Sequence, residues 1–142
     1  MNKTALITGA TSGIGQAIAR SFAKNSINLI ICGRRKDRLA ELKRELVQYV
    51  SVETLCFDVG NRKQVIQSLS QLKDSHKRID ILVNNAGGAH GLDLFVDGDS
   101  EDWDRMIDFN VKGLLYVSGE IIPWMVAQKQ GHIINISSIA GK

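Results

Sequence analysis

Between the apolar run Ala5-Leu6-Ile7 and a segment in which Ile14, Ile18 and Phe22 recur every four residues stands Thr8-Gly9-Ala10-Thr11-Ser12-Gly13-Ile14-Gly15. The periodicity changes across this stretch from strand-like to helix-like, so it reads as strand, tight glycine turn and helix. Glycine serves where the backbone needs a positive φ or where a ligand approaches too closely for a Cβ. The helix that follows presents unpaired N–H groups and a positive dipole end. A chain built this way can seat a pyrophosphate at the mouth of a βαβ unit.

The glycine spacing is G-x-x-x-G-x-G rather than the G-x-G-x-x-G of the common dinucleotide fingerprint. No Lys-Ser or Lys-Thr follows the last glycine, which excludes a phosphate loop of the nucleoside triphosphatase type. Taken alone the turn is also compatible with an ordinary strand–helix connection.

The rest of the chain repeats the same alternation. Ile27–Cys32 is a near-continuous apolar run ending at Gly33-Arg34-Arg35. A helix is predicted over Lys36–Tyr49, with Leu39, Leu42, Leu46 and Tyr49 on one face. A third strand is predicted over Val50–Phe57, ending at Asp58-Val59-Gly60, and Asn61 caps a helix carrying Val65, Leu69 and Leu72. A fourth strand over Ile79–Val83 ends at Asn84-Asn85-Ala86-Gly87-Gly88. After a polar loop over Ala89–Asp99, a long helix is predicted from Ser100 to about Gln128, with Pro123 expected to kink or shorten it. A fifth strand over Ile133–Ile136 ends at Ser137-Ser138. Strands alternating with helices imply α/β architecture: a Rossmann-like, doubly wound parallel sheet with right-handed crossovers.

In an open parallel sheet, ligands bind beyond the carboxyl ends of the strands. Five strand ends here are small, polar or charged while the strands are apolar, a pattern that points to one functional rim. Along the long helix, Trp103, Ile107, Leu114, Val117 and Ile121 recur at three- and four-residue steps, and Asn110 falls within that stripe. A buried amide must be hydrogen-bonded or it costs about 1–3 kcal/mol, so Asn110 is expected to be a structural or a functional amide.

Composition constrains the remainder. The 142 residues, 44% hydrophobic and 23% charged, suffice for one domain with a core. The net charge of +3 is spread among acidic residues, without a basic stripe and interleaved aromatics, so no nucleic-acid partner is expected. No apolar run approaches a membrane span and the N-terminus has no signal-peptide core, so a cytoplasmic location without membrane association is expected. Cys32 and Cys56 lie in apolar runs and read as two buried reduced thiols. The three histidines have no metal spacing, so no metal site is expected.

Thr8–Gly15, Asn84-Asn85-Ala86-Gly87, Asn110 and the Ile136-Ser137-Ser138 strand end together resemble the single-domain branch of the short-chain dehydrogenase/reductases. The region around Trp103 and Met106 looks most like members that oxidise 3-hydroxy acids or serine. The resemblance spans the whole chain but about the first half of a usual member. It implies one dinucleotide-binding domain over residues 1–142, truncated after the fifth strand, and hydride transfer between a nicotinamide and a small hydroxy or carbonyl compound.

It also implies roles. Gly9, Ala10, Thr11, Ser12, Gly13, Ile14 and Gly15 would hold the pyrophosphate. Asp58 and Val59 would contact adenine, and Asn84, Asn85, Ala86 and Gly87 would bring backbone close to the ribose. Asn110 would hold a water in a proton relay, and Ser138, rather than Ser137, would hydrogen-bond the substrate oxygen. At the second strand's end, Gly33, Arg34 and Arg35 stand where an acid would accept hydrogen bonds from a free ribose diol. Arginine forks pair with phosphate, so NADP(H) is expected over NAD(H). Family members often pair through the long helix, so a homo-oligomer is expected.

The family's tyrosine, with a lysine four residues later, has no counterpart here: Tyr49 is followed by Glu53 and Tyr116 by Glu120. The expectation is therefore a cofactor half-site, inactive without a longer chain. A non-catalytic nucleotide-binding or interaction module is the alternative from another class. A nucleotide-sugar epimerase is disfavoured by the glycine spacing and by Asn-Asn-Ala-Gly.

Overall fold

A computed structural model describes residues 2–73, 77–91 and 93–138. Its elements are β1 (Thr4–Ile7), α1 (Gly13–Lys24), β2 (Asn28–Gly33), α2 (Lys36–Leu46), β3 (Val52–Cys56), α3 (Arg62–Ser70), β4 (Ile81–Asn84), α4 (Ser100–Ile107), α5 (Gly113–Ala127) and β5 (His132–Asn135). A 3₁₀ turn spans Phe95–Asp97, and a π turn, Asp108–Lys112, joins α4 to α5. All strand pairs are parallel and the sheet order is β3-β2-β1-β4-β5. The chain order reverses between β1 and β4, which places a crevice above their carboxyl ends.

The sheet is covered on both faces, as its continuous apolar strands require. On one face Ala5, Ile7, Leu29 and Ile31 pack against Ala19 and Ala23 of α1 and Leu39, Leu42 and Leu46 of α2. On the other, Leu6, Ile30, Cys32 and Leu82 pack against Val65 and Leu69 of α3 and Val117, Ile121 and Met125 of α5.

Several predicted features shift. The buried face of α1 is Gly15, Ala19 and Ala23, with Ile18 and Phe22 at its flanks. Small residues let the helix lie close to the sheet, and Ile14, 61% exposed, is left over the crevice. Helix α2 ends at Leu46, so Tyr49 is exposed and Val50 enters the core instead. Cys32 is buried as expected, but Cys56 is exposed. It is the last residue of the outer strand β3, and its thiol faces the rim beside the Arg34 carbonyl. The loop before α4 is not uniformly polar: Leu94, Phe95 and Val96 are exposed, and Phe95 stacks on Trp103 with ring centroids 4.9 Å apart.

The long helix holds the largest correction. It runs through Pro123 without ending there, and its departure from α geometry lies at the π turn. A π turn takes up an extra residue and rotates everything beyond it. The single stripe read across 103–121 is therefore broken. Trp103 and Ile107 are exposed, whereas Gly113, Val117, Ser118, Ile121 and Met125 form the buried side of α5. Asn110, inside the π turn, is exposed rather than buried.

Candidate functional site

The rim above β1, β2 and β4 encloses a cavity of about 460 Å³. Thr8 fastens its floor. The Thr8 hydroxyl accepts from the Asn85 and Ala86 N–H groups, both at 3.0 Å, and donates to the Val83 carbonyl at 3.3 Å. In return Asn85 Nδ2 donates to the carbonyls of Thr8 and Gly9 at 3.0 and 3.1 Å. One threonine and one asparagine thus lock the glycine turn to the turn after β4. Ala10 N–H donates to the Cys32 carbonyl at 3.0 Å, which ties the same turn to the end of β2.

The glycines are required by space as well as by conformation. Gly9 sits at φ +65°, and a Cβ there would lie 2.8 Å from Ala86 Cα. Gly13, at φ +55°, faces open space, and a Cβ on Gly33 would lie 2.6 Å from the Thr11 methyl. Ser12 occupies the N-cap of α1, yet its side chain makes no capping hydrogen bond and no acidic residue stands in the first turn. A serine there ordinarily satisfies an N–H of the first turn. Here its hydroxyl faces Arg35, so the positive end of α1 stays open to an anion.

Arg35 reaches back from the start of α2. Its Nη2 donates to Thr11 Oγ1 at 2.8 Å and to Ser12 Oγ at 2.9 Å, and its Nε to Thr11 Oγ1 at 3.2 Å. Arg34 lies on the other side, its Cζ 4.8 Å from the centre of the Phe109 ring. Asp58 and Val59 line the same cavity, and one Asp58 carboxylate oxygen accepts from the Gly60 N–H at 2.9 Å.

The structure therefore brings Gly9, Thr11, Ser12, Ile14, Gly33, Arg34, Arg35, Asp58, Val59, Asn85, Ala86 and Gly87 around one cavity. Ala10 is buried beneath it, and Gly13 and Gly15 belong to the same turn without lining it. Asn84 lies below, where its Nδ2 donates to Ser118 Oγ at 3.0 Å and to Asn135 Oδ1 at 2.9 Å, joining β4 to α5 and β5. Asn110 meets the loop backbone: its Oδ1 accepts from Gly88 N–H at 2.9 Å and its Nδ2 donates to the Gly88 carbonyl at 2.8 Å. Its amide is satisfied by this reciprocal pair rather than in the core. Ser138 follows β5, exposed and outside the lining.

Beyond the expected site residues, Phe57, Gly88, Ala89, His90, Phe109 and Ile136 also line the cavity; Thr8 and Ile136, which stand in the motifs above, lie in its floor and lining. Phe57 closes an apolar strand and Phe109 adjoins Asn110, so both had a positional signal. His90 had none, because only the fold brings its loop back over the rim.

A positive-φ glycine turn, an uncapped helix start and two guanidinium groups around one cavity suit a polyphosphate. Among the described residues, no helix is long and apolar enough to cross a membrane.

Residues 3–142 match the family model described as short chain dehydrogenase. The NADP-dependent 3-hydroxy acid dehydrogenase YdfG of Salmonella typhi is 46% identical over 136 residues, covering 96% of this chain and 54% of that protein. The crystal structure of serine dehydrogenase from Escherichia coli superposes with a TM-score of 0.90 at 44% identity, over 98% of this chain and 63% of that one. The closed form of serine dehydrogenase complexed with NADP+ gives 0.90 at 45% identity, over 97% and 55%. The chain spans about half the length of the curated relatives it matches.

Proposed function

The chain belongs to the short-chain dehydrogenase family, and from that premise we propose that it is the cofactor-holding part of an NADP(H)-dependent oxidoreductase. The whole protein would act on a small hydroxy or carbonyl compound, with 3-hydroxy acids and serine as the first candidates, in keeping with the similar proteins above. The observation that carries this reading is the pair Arg34 and Arg35 beside the glycine turn. Their guanidinium groups stand at the end of β2, where a carboxylate would repel a 2′-phosphate.

In this reading residues 1–142 form one dinucleotide-binding domain. The turn from Gly9 through Gly15, with Ala10, Thr11, Ser12, Gly13 and Ile14 between them, holds the pyrophosphate against α1. Gly33, which leaves room for the Thr11 methyl, lines the seat of the ribose phosphate, and Arg34 and Arg35 bind it. Asp58 and Val59 flank the adenine. Asn84 holds the sheet together beneath, while Asn85, Ala86 and Gly87 bring backbone to the ribose. When bound, the nicotinamide supplies or accepts the hydride.

Asn110 fixes the loop at Gly88 and orders a water for proton transfer, and Ser138 hydrogen-bonds the substrate oxygen. The Tyr-x-x-x-Lys acid/base pair has no counterpart in these 142 residues. Proton donation is therefore assigned to the whole protein, and these residues alone are expected to be inactive. A cytoplasmic, homo-oligomeric enzyme without a nucleic-acid partner completes the proposal.

The test is a calorimetric titration of the whole protein with NADPH and NADH, followed by a hydride-transfer assay with short 3-hydroxy acids and serine. NADPH should bind tighter. Arg35→Ala should weaken NADPH by about 10–100-fold, the worth of a charge-assisted contact, and leave NADH nearly unchanged. Tighter NADH binding, or binding of neither, rejects the reading.

A further inference from the structure

The two arginines at the end of β2 are held in different ways. Arg35 is hydrogen-bonded to Thr11 and Ser12. The Arg34 guanidinium has no carboxylate or hydrogen-bond partner among the described residues, and its one described contact is the face of Phe109, 4.8 Å from Cζ to the ring centre. That contact uses no hydrogen bond, so the N–H fork of Arg34 stays available to an anion in the cavity that both side chains line.

Phe109 is itself seated. A Cβ on Gly60 would stand 3.2 Å from Phe109 Cδ1, so the absence of a side chain at 60 makes room for the ring. The His90 ring packs against it at 5.7 Å between centroids. The π turn that carries Phe109 also carries Asn110, whose amide grips Gly88. One irregular turn therefore touches both walls of the crevice, Arg34 on one side and the loop after β4 on the other. Single π turns of this kind occur frequently at functional sites.

We propose that Phe109 is a positioning residue for cofactor choice. Its ring holds the Arg34 guanidinium in the crevice, aimed at the 2′-phosphate, before the nucleotide arrives. The inference rests on the NADP(H) reading above and deepens it: Arg35 is set by the hydroxyls of the glycine turn, and Arg34 by the aromatic of the π turn. Selectivity for the phosphorylated nucleotide then depends on a residue that need not touch the phosphate.

The experiment is a set of NADPH and NADH titrations on the whole protein, comparing wild type with Phe109→Leu, Phe109→Tyr, Arg34→Ala and the Arg34→Ala/Phe109→Leu pair. Leucine fills much of the volume without a ring face. It should weaken NADPH by roughly 3- to 30-fold, the range of a cation–π contact, and leave NADH within about twofold of wild type. Tyrosine should keep wild-type affinity. In the Arg34→Ala background, Phe109→Leu should cost nothing further, because the partner is already gone.

Equal weakening of NADPH and NADH would overturn the proposal and make Phe109 a wall of the cavity. So would full additivity in the double variant, or an Arg34→Ala variant with unchanged NADPH affinity. Those results would leave the NADP(H) reading standing. A wild-type protein that binds neither nucleotide would remove both. Thermal melts of each variant identify a folding defect, and the tyrosine variant then decides: wild-type selectivity supports the proposal and lost selectivity overturns it.

Discussion

Two strands of one sheet, β2 and β5, carry similar apolar residues in opposite surroundings. Leu29, Ile30, Ile31 and Cys32 of β2 are at most 1% exposed, enclosed by β1, β3 and helices on both faces. Ile133 of β5 is 39% exposed, and among the described strands β5 pairs with β4 alone. Apolar character makes both segments strands, but burial is conferred by neighbours. The same holds for chemistry: residues at the β1 and β2 ends line the cavity, whereas Ser138 at the β5 end lies outside the lining.

The contrast can be broken first with a thiol reagent. Burial pushes the Cys32 thiol far above the usual range, so it stays protonated and enclosed. Cys56, exposed at the rim, should react at least roughly a thousandfold faster, since Cys32 reacts only through opening of the core. In residues 1–142 alone, a thiol placed in β5 by Ile133→Cys should behave like Cys56. Comparable rates for Cys32 and Cys56, read by mass spectrometry, would mean that the middle of the sheet is as open as its edge.

Truncation is the next test. In urea unfolding of residues 1–142, Ile30→Ala, within the enclosed strand, should cost about 2–5 kcal/mol, and Ile133→Ala less than about 1 kcal/mol. Equal costs would erase the distinction between the strands.

Glycines sharpen it further. Gly9→Ala forces a side chain into the left-handed region against the Ala86 backbone and should cost about 1–3 kcal/mol. Gly119→Ala, in α5 with open space around it, should stabilise by up to about 1 kcal/mol. A stable Gly9→Ala variant would show that the turn yields to a side chain beside the Ala86 backbone.

The smallest effect belongs to the surface. Arg20 holds Glu45 through two hydrogen bonds of 2.7 and 2.9 Å, linking α1 to α2. The Arg20 hydrogen bond draws the Glu45 carboxyl below its ordinary value of 4.5. The pair's contribution is therefore complete above about pH 4.5 and fades as pH falls through the lowered value. Both side chains are over 40% exposed, so Glu45→Gln should cost about 0.2–1 kcal/mol at pH 7 and nothing at pH 2. Unfolding midpoints of the two proteins against pH would show it.

Much of the fold was legible from the chain. Five apolar runs, the Asn61 cap, which accepts from Gln64 N–H at 3.2 Å, and the glycine turn are local signals. The gathering of Gly9, Arg34, Arg35, Asp58 and Asn85 was legible too, because parallel strands send their ends to one rim. The differences have two physical sources. Hydrophobicity places Tyr49 and Cys56 in the core, yet Tyr49 lies beyond the end of α2 and Cys56 faces the rim. The stripe through Asn110 assumed an unbroken helical period across a turn that takes an extra residue.

Alternation of strands and helices, the glycine turn and the arginines at the second strand end are properties of neighbouring residues, and such short-range patterns survive without knowledge of the fold. Which apolar side chain is covered, which way Asn110 faces and that Phe109 lies beneath Arg34 all depend on segments distant in the chain. Those outcomes follow from how closely helices can approach the sheet and how one π turn rotates what comes after it, and no local pattern encodes either.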